Sequence, residues 1–182
     1  MEAREASQKQ LSQDHSSQDH SSQNHDHAQA DDRIIPDVPL WLGLAGAIPF
    51  VGLSALIVLP HFDVALILPE RWLHHALLTY AALIASFLGG VRWGLALSVA
   101  SSRQSSLFIV SICPSLVGWA ALAAPKPYDL ILLMTLFLCL LVLDIGLVKE
   151  RLVPRWFGSL RLMLSALVVL SLFGPLTLAL GF

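Results

Sequence analysis

The chain has 182 residues, 55% hydrophobic and 13% charged, with a formal net charge of −2. A soluble domain carries about 25% charged residues, so the composition excludes an ordinary soluble globule, and nothing in it suggests a nucleic-acid binder. The charge is also uneven: residues 1–38 hold eight acids against three bases, and residues 39–182 hold five against eight, so the acidity belongs to the N-terminal tail.

That tail, residues 1–35, repeats "LSQDH", "SSQDH", "SSQNH" and "DH". It lacks the apolar residues that would offset the entropy of ordering, and disorder is expected. His15, His20, His25 and His27 with their aspartates are weak candidates for a transition metal. A spacing of five fits no rigid cage, so a solvated low-complexity tail is the better reading and no cofactor is expected. No apolar stretch precedes Pro39, which argues against a cleaved signal peptide, and the tail is too acidic and Arg-poor for a mitochondrial transit peptide.

Residues 36–182 read as one all-α membrane domain. Five apolar segments follow one another, at about 40–59, 76–99, 105–124, 130–148 and 160–180. Each is close to the roughly 20 residues that a bilayer core demands of a helix. Pro, Gly and charge cluster between them in "LPERWLHH", "SSRQSS", "APKPYD" and "KERLVPRWFGS", which marks loops. Pro49, Pro114 and Pro175 fall inside spans, where neighbouring helices must satisfy the freed carbonyls. Trp41, Trp72, Trp119 and Trp156 fall near span ends, as interfacial aromatic belts do. Cys113 and Cys139 form no CxxC pair and are expected to act as small buried hydrophobes. Arg33, Arg103, Lys149, Arg151, Arg155 and Arg161 fall at one end of the spans, and Arg71 and Lys126 at the other. By the positive-inside rule the N-terminus is cytoplasmic and the C-terminus periplasmic in a bacterial inner membrane.

Within the second span, "SFLGGVRWGLALS" holds a permanent charge, Arg92. On a helical wheel at about 100° per residue, Ala81, Arg92, Ala85, Ala96, Gly89, Ala82, Trp93 and Ser86 share one face, and large aliphatic residues the other. Small residues allow helices to approach closely in lipid, and Gly90 and Gly94 form a GxxxG pair on a ridge with Ala82, Ser86 and Ser98. Arg92 is therefore expected to point into protein. A lone charge near mid-membrane costs at least about 3 kcal/mol, so it needs a partner. Asp144, in "LLVLDIGLVKE", is the acid within another span, and its depth differs from that of Arg92 by about 5 Å. An Arg92–Asp144 pair is expected; the rival arrangement gives Asp144 to Arg161 or Lys149 and leaves Arg92 to helix-end carbonyls. Trp93 could add a cation–π surface toward a ligand. His74 and His75 are expected as interfacial polar residues, since adjacent histidines project about 100° apart and converge poorly on one metal.

The stretches "GLAGAIPF" (43–50), "SFLGGVRWG" (86–94) and "PRWFGSLRLMLSALVVLSL" (154–172) resemble a family of small multi-pass membrane proteins of unknown function, domain of unknown function 3429, which includes vertebrate transmembrane protein 69. The resemblance spans about residues 36–180. It implies about five spans in a bacterial or mitochondrial membrane, with no assigned activity. It also implies that His can stand in the place of Arg92, which suits a hydrogen-bonding role better than an obligate cation.

No GxSxG, HExxH or Walker-type loop appears, so no catalytic set is visible. The expected function is non-enzymatic: a structural or accessory inner-membrane protein whose small-residue faces pack internally or against a membrane-protein partner in the bilayer. The alternative is a small-solute or ion transporter with Arg92, Trp93 and Asp144 at its gate. A third reading is a membrane enzyme on lipid substrates, with Arg92 holding a phosphate.

Overall fold

The computed structural model describes residues 34–62, 68–99 and 103–181. The expected disordered tail, with His15, His20, His25 and His27, lies outside the described residues. Five helices follow in order: α1 (Asp37–Val58), α2 (Glu70–Ser98), α3 (Gln104–Ala123), α4 (Tyr128–Lys149) and α5 (Arg155–Leu180), with a short 3-10 turn at Leu59–Phe62 after α1. All five are long and apolar enough to cross a bilayer.

Four of the helices start directly after a proline, at Pro36, Pro69, Pro127 and Pro154. Proline suits that position because its missing N–H would have no helical partner there. Asp37, Glu70 and Asp129 sit in first turns, where a negative charge meets the positive end of the helix dipole. These starts correct the expected limits most at α2, which begins six residues before Ala76 and takes His74 and His75 into the helix. The segment "LPERWLHH" reads as a loop because polar residues are dense in it. Pro69 and Glu70 are nevertheless a helix start, and the first turns carry that polarity. Helices α1, α3 and α5 run on through Pro49, Pro114 and Pro175. Helix α5 stops at Gly181, whose φ of +84° suits a residue without a Cβ.

The helices form a ring in chain order, each packed on the next, with α5 closing against α1 and α2 touching α4 across the middle. Helices α2 and α4 run parallel and make the spine. Phe50, Leu73, Leu77, Leu130, Leu133, Phe137, Leu140 and Leu172 fill the core around them. The outward faces carry Trp41, Ile48, Phe87, Ile109, Trp119, Val142 and Leu170, as a lipid-facing surface requires. Cys113 and Cys139 lie on that outward surface, correcting the expectation that they are buried. An apolar neighbourhood in sequence does not distinguish protein from lipid.

Lipid tails are as apolar as leucine, so close backbone approach rather than water exclusion must hold such helices together. The tightest approach is between α2 and α3. A Cβ at Gly118 would lie 3.2 Å from Ala82 Cα, the Ser86 and Ser115 hydroxyls are hydrogen-bonded at 2.9 Å, and a Cβ at Gly89 would collide with the carbonyl oxygen of Ser111. Ala82, Ser86 and Gly89 thus meet Gly118, Ser115 and Ser111 in antiparallel order. Of the expected packing residues, Ala82, Ser86 and Gly89 lie in this seam, while Gly90 and Gly94 do not. Gly90 and Gly94 are exposed, and a Cβ at either would meet nothing within 4 Å. The reason is one step of about 100° along the helix: the buried stripe runs through Ala81, Ala85, Gly89, Arg92 and Ala96. Ser98 is also outside the packing, its hydroxyl bonded to Leu95 O of its own helix at 2.8 Å.

Candidate functional site

Arg92 falls on the buried stripe of α2 and is only 2% exposed. Its Nη2 donates to Asp144 Oδ1 at 2.6 Å and to Leu140 O at 3.0 Å, both on α4. The other oxygen, Asp144 Oδ2, accepts from Arg161 Nε of α5 at 2.5 Å. The expected pair and its rival are therefore both present, because α4 lies between α2 and α5 and a carboxylate has two faces. Lys149 is exposed. The charge cluster joins three helices, and two guanidinium groups share one carboxylate, leaving a buried net charge of +1.

Two donors in this cluster, Arg92 Nη1 and Arg161 Nη2, are buried without a hydrogen-bond partner, and so is the hydroxyl of Ser165, one turn beyond Arg161 on α5. A buried donor left unmade costs about 1–3 kcal/mol. Both oxygens of Asp144 are occupied, so the carboxylate is not free to hold a cation. Trp93 is 46% exposed and packs edge-on against Phe108 of α3, ring centres 4.7 Å apart. It is not among the residues that line the cavity beside the charges. Position 93 lies at the margin of the buried stripe, and a ring there reaches outward.

Beside the cluster is a cavity of about 430 Å³, walled by α1, α2, α4 and α5. Its polar lining is Asp144, Arg161 and Ser165; the remainder is apolar, including Leu42, Phe50, Phe87 and Leu164. A larger hollow of about 720 Å³ follows the α4–α5 connection at Val148–Arg155. Only the last turn of α4, the connection and the first residue of α5 line it, so the four-helix cavity is the better candidate site.

The opposite end of the spine holds a second buried pair. His74 Nε2 lies 2.6 Å from Asp129 Oδ2, and Asp129 Oδ1 accepts the Leu130 amide at 2.7 Å. His74 is buried on α2 while His75 is exposed. The 100° divergence of the two rings is as expected, but His74 is buried and paired with Asp129 inside the bundle. The available signal was its place on the stripe that continues through Leu77, Leu78 and Ala81. Around the cluster's own end, Arg103 and Glu150 pair at 2.5 Å near the surface. Among the described residues no group of three His, Cys, Asp or Glu could hold a metal ion.

The family model described as Protein of unknown function (DUF3429) matches residues 35–177. A Xenopus tropicalis protein named Transmembrane protein 69 is 33% identical over 156 residues, covering 83% of this chain and 59% of the relative. Its Mus musculus namesake is 28% identical over 142 residues, 75% of this chain and 54% of the relative. The chain thus spans little more than half the length of the curated relatives it matches. No solved structure matches the chain. The matched region includes Arg92, Asp144 and Arg161 and nearly all of the five helices, and the chain belongs to the DUF3429 family of membrane proteins.

Proposed function

We propose that the protein is a non-enzymatic structural or accessory component of the inner membrane, built to present one helix face to a membrane-protein partner. The observation that carries this reading is the division of α2 into two small-residue faces. Gly89 is spent on α3 inside the molecule, while Gly90 and Gly94 are turned outward with open space above their backbone. The intramembrane charges behind them are tied to one another across three helices, which suits a brace. A transport role is the second reading, favoured by the cavity that reaches Arg161. It would require water to reach the α2 stripe, where Ala85 and Ala96 are fully buried.

The test is site-directed crosslinking in native membranes, in a Cys113→Ser/Cys139→Ser background because both natural thiols face outward. A cysteine at Gly90 should give a single defined adduct that Gly94→Leu abolishes, whereas Leu170→Cys on the lipid face should give none. The same ladder from both positions, or no adduct, would end the reading. The orientation belongs to the same proposal: basic residues favour a cytoplasmic N-terminus. A phosphatase that works only outside the cytoplasm, fused after Phe182, should be active; an inactive fusion would reverse the topology.

A further inference from the structure

The charge cluster is one anion short. Arg92 and Arg161 share Asp144, and the other carboxylates that make ion pairs are engaged elsewhere, Glu150 by Arg103, Asp129 by His74 and Glu70 by Lys126. Arg161 is only 7% exposed, uses Nε on Asp144, and keeps a buried Nη2 without a partner. Ser165, only 2% exposed, adds a second unpartnered polar group one turn along the same face. Both residues line the four-helix cavity. Buried polar atoms are almost always hydrogen-bonded, and specific exceptions call for an explanation. Arg161 and Ser165 lie one turn apart on α5 and both line the cavity, so an oxyanion lodged beside them would supply the acceptor that both side chains lack.

The rest of the cavity fixes what must be attached to that oxyanion. Apart from Asp144, Arg161 and Ser165, its walls are apolar, and its volume of about 430 Å³ falls in the range of small-molecule sites, about 300–1,000 Å³. Val38, Leu42 and Phe87 line it and are also more than half exposed on the outside of the bundle. The way in therefore lies between α1 and α2, from the lipid. Arg161 also lies six residues inside the start of α5, about 9 Å along the helix, which leaves little room for a large headgroup. We propose that this cavity binds an amphipathic anion that enters from the bilayer: a single alkyl chain ending in a small carboxylate or phosphate, held by Arg161 Nη2 and Ser165 Oγ. The inference goes beyond the accessory role, and it stands or falls apart from it.

The experiment uses the full chain in neutral maltoside micelles, with the thermal unfolding midpoint read against added dodecanoate. A saturable rise of about 5–10 °C is expected, as for a ligand near 100 times its Kd. Dodecanol, with the chain and no charge, and inorganic phosphate, with the charge and no chain, should give no rise. Arg161→Gln should abolish the dodecanoate effect. Ser165→Leu should abolish it too, and this second variant removes a buried unsatisfied hydroxyl and fills the cavity, so it carries the test if Arg161→Gln does not fold. No rise with dodecanoate, an equal rise with dodecanol or with phosphate, or a rise that survives Ser165→Leu would each overturn the proposal.

Discussion

Asp144→Ala is expected to destabilise the protein more than the loss of either arginine that contacts it. Each arginine replacement leaves Asp144 with one guanidinium and one hydrogen-bonded oxygen, since the two ion pairs use different oxygens. Removing the aspartate instead leaves two cations facing each other in a site from which solvent is excluded. Breaking a buried ion pair from one side costs about 3–5 kcal/mol, and here the residual repulsion adds to it. For a chain of this size that corresponds to a fall of about 6–20 °C in the unfolding midpoint, measured in mild detergent. The Arg92→Ala/Asp144→Ala double variant should lose less than the sum of the singles, because the two groups are in contact. Additive losses would mean that the pair does not hold α2 to α4. Replacing all three charged residues with leucine should recover much of the stability, because apolar side chains of similar volume often substitute for a buried charge cluster at no cost.

Gly89→Ala should destabilise the bundle while Gly90→Ala, one residue along, leaves it unchanged or slightly firmer. The obstacle at Gly89 is the Ser111 carbonyl, a backbone atom within a helix, and it cannot swing aside as a side chain would. Overpacking of this kind costs about 1–3 kcal/mol. Gly89→Leu should go further and separate α2 from α3. At Gly90 the new methyl meets open space, and alanine is the better helix former by about 1 kcal/mol. The three variants can be ranked by midpoint in detergent. Ser86→Cys/Ser115→Cys, at the hydrogen-bonded serines, supplies an independent readout: the disulfide should form in wild type and in Gly90→Leu, and fail in Gly89→Leu. Equal effects of alanine at the two glycines would remove the α2–α3 register described above.

Both results bear on what the sequence makes legible. Span number was readable because a bilayer imposes length and apolarity together, and few soluble helices meet both. Arg92 and Asp144 could be matched because intramembrane charges are rare and their depths agree. Arg161 is harder to assign. At the foot of α5 it reads as a topology signal, and its reach to Asp144 depends on α4 and α5 being neighbours, a fact of tertiary arrangement. The His74–Asp129 pair was hidden for another reason. Both residues sit in polar, proline-bearing stretches that look like loops, and only the actual helix starts at Glu70 and Tyr128 bring them onto facing stripes. The glycine ridge shows the limit of a wheel drawn without neighbours. Its small face is right, but the partner helix decides which edge of that face is used.

The two buried pairs have a mechanical consequence. His74 and Arg92 are 18 residues apart on α2, and Asp129 and Asp144 are 15 apart on α4, roughly 27 and 22 Å along parallel axes. A single rung would let one rail pivot about the other. With a rung near each end, sliding by one residue or rotating by one side-chain position would break both at once. Helices α2 and α4 therefore travel as one body, and α3 travels with them through its tight seam on α2. Helix α5 is tied to this frame by Arg161 on Asp144, whereas α1 is held by its packing on α5 and α2 and by the Tyr80 hydroxyl on Gly46 O, 2.8 Å away. Outward tilting of α1 would widen the opening onto Arg161 without straining either rung.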